Sequence, residues 1–253
     1  MKRIVISLII ITFLSTSYEF GISPFLSLFG SICIILLGYS FWGNSWKEWL
    51  GFNINKRDLL FSILLFPILI ILVFYLIKFI SLSNDIVFKS PVDKHGFFNL
   101  NYIHTVGQTL NEEIVLGALL LFSIKNKYSK LPPLVISILV AFIFSVMHYI
   151  FYAWIFIPKE AGILSITTLF CLFSIGVLRN SLILKFGHIG FAWVIHLSFN
   201  IVFLWSVYYT AGGQELNEAA TFNLIFGSQI MVILSVLFLL FSVTIFWKLK
   251  WGA

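Results

Sequence analysis

Three short stretches in the second half of this 253-residue chain put polar, chemistry-bearing side chains inside otherwise apolar sequence: Glu112 with Glu113, then His148, then His196 with Asn200. A charged group at bilayer depth costs about 2.5–3.5 kcal/mol on insertion scales, so each needs a partner or a task. Asn200 follows His196 by four positions, which puts both on one face of a helix. Two carboxylates and two imidazoles carried on three helices can meet in one polar pocket. A carboxylate beside an imidazole can hold and deprotonate a water, directly or on a bound metal. His and Asn N–H groups can donate to the oxyanion that forms when a carbonyl is attacked. No serine or cysteine nucleophile with a paired base stands out, so hydrolysis by activated water is the more natural chemistry.

The elements that must carry these residues are membrane helices. The chain is 60% hydrophobic and 10% charged, where a soluble domain has about 45–50% and about 25%; its mean hydropathy is +1.04. So few charges exclude a soluble globule, a disordered chain and a free nucleic-acid binder. Cys33 and Cys171 both lie in apolar runs, so no disulfide framework is implied. Apolar runs fall at 4–17, 24–42, 59–80, 107–124, 134–157, 161–178, 189–210 and 223–247. At about 20 residues per span these predict an all-α, polytopic bundle of about eight transmembrane helices forming one integral membrane domain over 1–253. Pro24 and the Pro132–Pro133 pair stand at or just ahead of helix starts, where a missing N–H costs nothing, and Pro67 is internal to the third run and predicts a kink. The first run follows Lys2 and Arg3 like a signal-peptide core. It lacks a small-residue cleavage site and reads as a retained span.

Orientation follows from the basic residues. With a cytoplasmic amino terminus, twelve of the 16 Lys and Arg residues fall on the inner side, Arg179 among them, and Lys78, Lys89, Lys94 and Lys159 on the outer side. Both termini are then cytoplasmic, and the net charge of +6 reflects membrane orientation rather than a nucleic-acid partner. His95 and His104 fall in a long outer loop and His188 in an inner one, all read as solvated. Each site residue also has a plainer role to weigh. His148 can bond a backbone carbonyl, Glu113 can snorkel to the interface, and Asn200 can be a hydrogen bond between helices.

At these residues the chain resembles the CPBP family of intramembrane proteases, which includes type II CAAX prenyl endopeptidases and bacteriocin-processing and self-immunity proteins. That family carries EExxxR, FxxxH and HxxxN in order on separate helices. The corresponding stretches here are Glu112-Glu113 through Gly117, Phe144 through His148, and His196 through Asn200. The resemblance, with the run from Phe173 to Asn200, covers about 95 residues within 107–205. It implies a membrane endopeptidase acting on a membrane-embedded or membrane-associated peptide or protein, with Glu112 and His148 activating water and His196 and Asn200 binding the oxyanion. Glu113 completes the site. If a divalent metal such as zinc is held, Glu112, His148 and His196 are the implied ligands, since carboxylate and neutral imidazole suit it; the mechanism can also be read without metal. The abundance of Ile, Phe and Lys hints at a bacterial cell membrane and a bacterial peptide precursor.

One position departs from the pattern. Gly117 stands where the first motif has arginine, which predicts a Glu113 that has lost a charge partner and stays protonated on burial. Depth poses a second difficulty. His148 lies about 21 Å from the inner end of its span and His196 about 10 Å from the inner end of its own, at 1.5 Å per residue. Two alternatives stand beside the protease reading. One is a non-catalytic membrane immunity or scaffolding protein of the same family, motivated by the missing arginine. The other is a transporter or proton relay, which intramembrane Glu and His also mark.

Overall fold

The structure, a computed structural model, describes residues 25–96, 101–150 and 163–251; the run at 4–17 and Pro24 lie outside the described residues. Helix α1 (Phe25–Trp42) leads through a 3-10 turn into α2 (Trp46–Trp49), and α3 (Lys56–Ser83) follows. Strand β1 (Val87–Lys89) and the short α4 (Pro91–His95) precede α5 (Asn101–Glu112). Helix α5 runs through a π-helical segment, Glu113–Leu119, into α6 (Leu120–Lys127). Then come α7 (Pro133–Ile150), α8 (Ile166–Phe186), α9 (Gly190–Phe203), β2 (Val207–Tyr209), α10 (Glu218–Phe226) and α11 (Gln229–Trp251).

Among the described residues, five helical stretches are long and apolar enough to cross a membrane: Phe25–Trp49, Lys56–Ser83, Pro133–Ile150, Ile166–Phe186 and Gln229–Trp247. Helix α9 is apolar but shorter. The polarity of the bundle is inverted relative to a soluble protein. Leu60, Phe61, Ile63 and Leu64 of α3 are exposed, while Ser62 between them is buried. Ser137 of α7 and Ser174, Asn180 and Ser181 of α8 are likewise inside. Lipid accepts the apolar face, and small polar residues let helices approach and bond one another. Helix α7 lies along α8, α8 along α11, α1 along α5, and α9 along α3 and α5.

Local chemistry sets the helix ends. Asn55 caps α3 by accepting from the Asp58 N–H at 2.8 Å, and Ser165 caps α8 by accepting from Thr168 N–H at 3.2 Å. Gly187, at φ +74°, closes α8 in the left-handed conformation that glycine adopts without strain. Pro67 sits inside α3, which continues to Ser83. The close approach of α1 to α5 depends on Gly107, where an added Cβ would run into the Leu28 backbone nitrogen. Beside it the Ser31 hydroxyl donates to Asn111 Oδ1 at 2.8 Å, and Asn111 Nδ2 donates to the Ser27 carbonyl at 2.9 Å.

Several sequence expectations are corrected. The chain is mostly helical but carries a two-stranded antiparallel ribbon, Val87 facing Tyr209 and Lys89 facing Val207, in stretches expected as loop or span end. The sixth apolar run continues as α8 to Phe186 rather than ending at 178, and α9 is 14 residues long rather than a run to 210. His104 and His188 are buried at 5% and 1% exposure rather than solvated. His188 is inside because the turn between α8 and α9 is tucked under the 46–54 segment. Ile189 N–H donates to the Gly51 carbonyl at 2.9 Å, and Gly190 N–H donates to His188 Nδ1 at 3.2 Å. That bond leaves the Nε2 hydrogen of a neutral His188 to meet Asp58 Oδ2 at 3.1 Å.

Two apolar clusters result. One gathers Leu50, Ile114, Val140, Phe144, Ile183 and Ala192; the other gathers Val73, Leu172, Val202, Phe203, Phe222 and Met231. Along α7, α8 and α9 the changeover between them falls at His148, Arg179 and His196.

Candidate functional site

Glu112 and Glu113 stand where α5 passes into the π-helical segment, a local widening that recurs at functional sites. Both carboxylates reach the same imidazole on α9. His196 Nδ1 is 2.9 Å from Glu113 Oε1, and His196 Nε2 is 3.7 Å from Glu112 Oε2. Asn200 Nδ2 lies 3.3 Å from His196 Nε2. An amide NH2 can only donate, so Nε2 accepts, and the ring proton sits on Nδ1 facing Glu113. The ring is therefore held at both nitrogens, with its bare one turned toward Glu112.

On α7, His148 Nδ1 donates to the Phe144 carbonyl at 2.9 Å, since a carbonyl can only accept. The backbone bond weighed as the plain reading is thus present, within the same helix, and it fixes the tautomer that leaves Nε2 free to accept. Glu112, His196 and Arg179 all lie near enough to act electrostatically on His148. The Phe144 ring is the common wall. Its centroid is 4.4 Å from the His148 ring, 6.3 Å from that of His196 and 4.2 Å from the Arg179 guanidinium carbon.

Arg179 is the residue that sequence reasoning misplaced. Counted there with the inner loops, it is 4% exposed and points into the bundle, with Nη1 3.6 Å from Glu113 Oε1. Glu113 itself is fully buried, so it neither snorkels nor lacks a charge partner. The available signal was the apolar run itself. Extended to Phe186, it sets Arg179 seven residues, or about 10 Å, inside the helix end. The unequal depths of His148 and His196 along their own helices do not keep them apart, since both rings flank Phe144. A further polar ladder went unread. Gln108 Nε2 donates to Glu112 Oε1 at 3.3 Å, and Gln108 in turn bonds His104, all on one face of α5.

Compared with family models, with curated proteins and with solved structures, the chain matches none. The site has to be read from its own geometry. Glu112, Glu113, His196 and Asn200 form one contiguous polar cluster, with Arg179 behind it and His148 across the Phe144 ring. Among the described residues, no group of three or more His, Cys, Asp or Glu side chains is gathered closely enough to hold a metal ion. Both His196 nitrogens are already engaged, so a metal on Glu112, His148 and His196 would require these side chains to rearrange. Chemically, the cluster offers a carboxylate and an imidazole nitrogen that accept, with an amide N–H that donates. Nε2 of His196 has no proton to offer an oxyanion until it takes one up. The second N–H of Asn200 is the ready donor.

Proposed function

We propose that the chain is an intramembrane endopeptidase that cleaves a peptide bond of a membrane-associated protein or peptide with activated water. The observation that carries this reading is the meeting of Glu112 and Glu113 with His196 and Asn200 in one enclosed cluster, where their desolvation would otherwise be cost without return. Water held between Glu112 and His148 gives one proton to the Glu112 carboxylate while His148 Nε2 accepts a hydrogen bond from the other. The hydroxide adds to the carbonyl carbon, and the Asn200 N–H meets the developing oxyanion. Glu112 then returns its proton to the leaving amine. No step is routed through a metal.

The same reading takes the bundle as eight membrane helices in a bacterial cell membrane with both termini cytoplasmic. The basic asymmetry supports that orientation, eleven against four once Arg179 is assigned to the interior. The test is to incubate purified wild type, Glu112→Ala and His148→Ala at equal amounts with membrane proteins and to map new peptide termini by mass spectrometry. Termini that appear with wild type alone support hydrolysis at this site. Termini that persist in both variants refute it.

A further inference from the structure

We infer that Arg179, arriving from α8 rather than from the helix that carries the glutamates, is the positioning residue that holds Glu113 against His196, and that Gly117 leaves the space in which α8 and the Glu113 carboxylate meet. The guanidinium is held on its face and at two of its nitrogens. Its face rests on Phe144 at 4.2 Å. Nη2 donates to the Leu116 carbonyl at 3.5 Å, and Nε and Nη2 both lie 3.4 Å from Asn180 Oδ1. Asn180 is itself tied across to α7, its Nδ2 donating to the Ser137 carbonyl at 2.9 Å.

Nη1 is left with no hydrogen-bond partner, and so is Glu113 Oε2; what these two buried side chains have is each other, through Nη1 and Oε1 at 3.6 Å. Among the described residues Arg179 is the one Lys or Arg side chain paired with the 0%-exposed Glu113 carboxylate, so its removal would leave that buried carboxylate without its guanidinium. Glu113 Oε1 also receives the His196 Nδ1 hydrogen at 2.9 Å. Arg179 thus fixes an acceptor that in turn fixes a tautomer, without touching the imidazole. Gly117 is the other half of the arrangement. A Cβ there would stand 3.0 Å from Ile183 Cδ1 and 3.1 Å from Glu113 Oε2, in the space that α8 and the carboxylate occupy. A side chain on that turn would press on Ile183 of α8 and on the carboxylate that Arg179 holds.

The inference concerns the resting arrangement and stands or falls apart from peptide hydrolysis. It is tested in detergent-solubilised full-length protein labelled with 15N-histidine, with His196 assigned by loss of its signal in His196→Gln. Wild type and Arg179→Lys are expected to show the Nδ1-protonated tautomer, and Arg179→Met to lose it to averaged tautomers. An unchanged His196 spectrum in a folded Arg179→Met protein overturns the proposal. Should Arg179→Met fail to accumulate, the Arg179→Met/Glu113→Gln double variant decides. Recovery to at least half the wild-type yield supports the pairing, because the lone carboxylate is gone, and failure to recover overturns it.

Discussion

Phe144 is expected to hold the site together through its ring. Replacing it with leucine keeps an apolar side chain of similar reach but removes the ring on which Arg179 rests at 4.2 Å, at a position 4% exposed. A desolvated cation–π contact is worth about 2 kcal/mol, and reshaping the packed side chain adds up to about 1.5 kcal/mol. Phe144→Leu should therefore cost about 3 kcal/mol. Phe142→Leu, two residues earlier but 61% exposed, should change stability by less than about 0.5 kcal/mol. The assay is unfolding in mixed micelles by SDS titration, followed through the fluorescence of the chain's eight tryptophans. The cation–π share is isolated by a double-mutant cycle of Phe144→Leu with Arg179→Met in a Glu113→Gln background, so that no lone carboxylate confuses the comparison. A coupling of about 2 kcal/mol is expected. A coupling below about 0.5 kcal/mol, the limit of ordinary additivity, would refute the reasoning.

Gly107→Ala should cost about 1–3 kcal/mol by overpacking, because the new Cβ meets Leu28 and Ser27 backbone that cannot turn aside. Gly212→Ala, whose nearest atom is Thr210 Oγ1 at 3.8 Å, is the control and should melt like wild type. Burial pushes the His104 imidazole below its usual range, against smaller upward pulls from its Gln108 bond and from Glu112. A histidine held neutral in the fold contributes stability above its unfolded value of about 6.5 and loses it as pH falls through the lower folded value. Melting of wild type should thus drop as pH falls below about 7.5, and the drop should shrink in His104→Asn; equal drops would show that His104 is not the group responsible.

What was legible in the sequence is what membranes penalise most. Glu112, Glu113, His196 and Asn200 were visible because polar side chains interrupt apolar runs, and the structure brings these four into one cluster. Arg179 was not, because an apolar run was ended one residue before it, and an arginine at a run's edge is indistinguishable by pattern from a cytoplasmic anchor. His188 was hidden by the assumption that a turn between spans meets water, whereas this one lies under Gly51 and Leu50. The ribbon of Val87–Lys89 with Val207–Tyr209 has three residues a side, too few for an alternation to declare itself. The π-helical segment leaves no mark in composition at all. Gly117 read as a deletion from a pattern, while in three dimensions it is a vacancy that lets α8 approach.

Helix α9 also bears on how the protein is made. Its 14 residues measure about 21 Å, against a hydrocarbon core of about 30 Å, so alone it would leave backbone groups at its ends unsatisfied in lipid. It additionally carries His196 and Asn200, which a translocon would release into the bilayer only reluctantly. Its main packing partners, α3 and α5, precede it in the chain. By the time α9 leaves the ribosome, the groove that receives it can already be standing, with Glu113 waiting for the imidazole. Synthesis from the amino terminus thus supplies chaperoning that a circularly permuted chain, with α9 first, would lack.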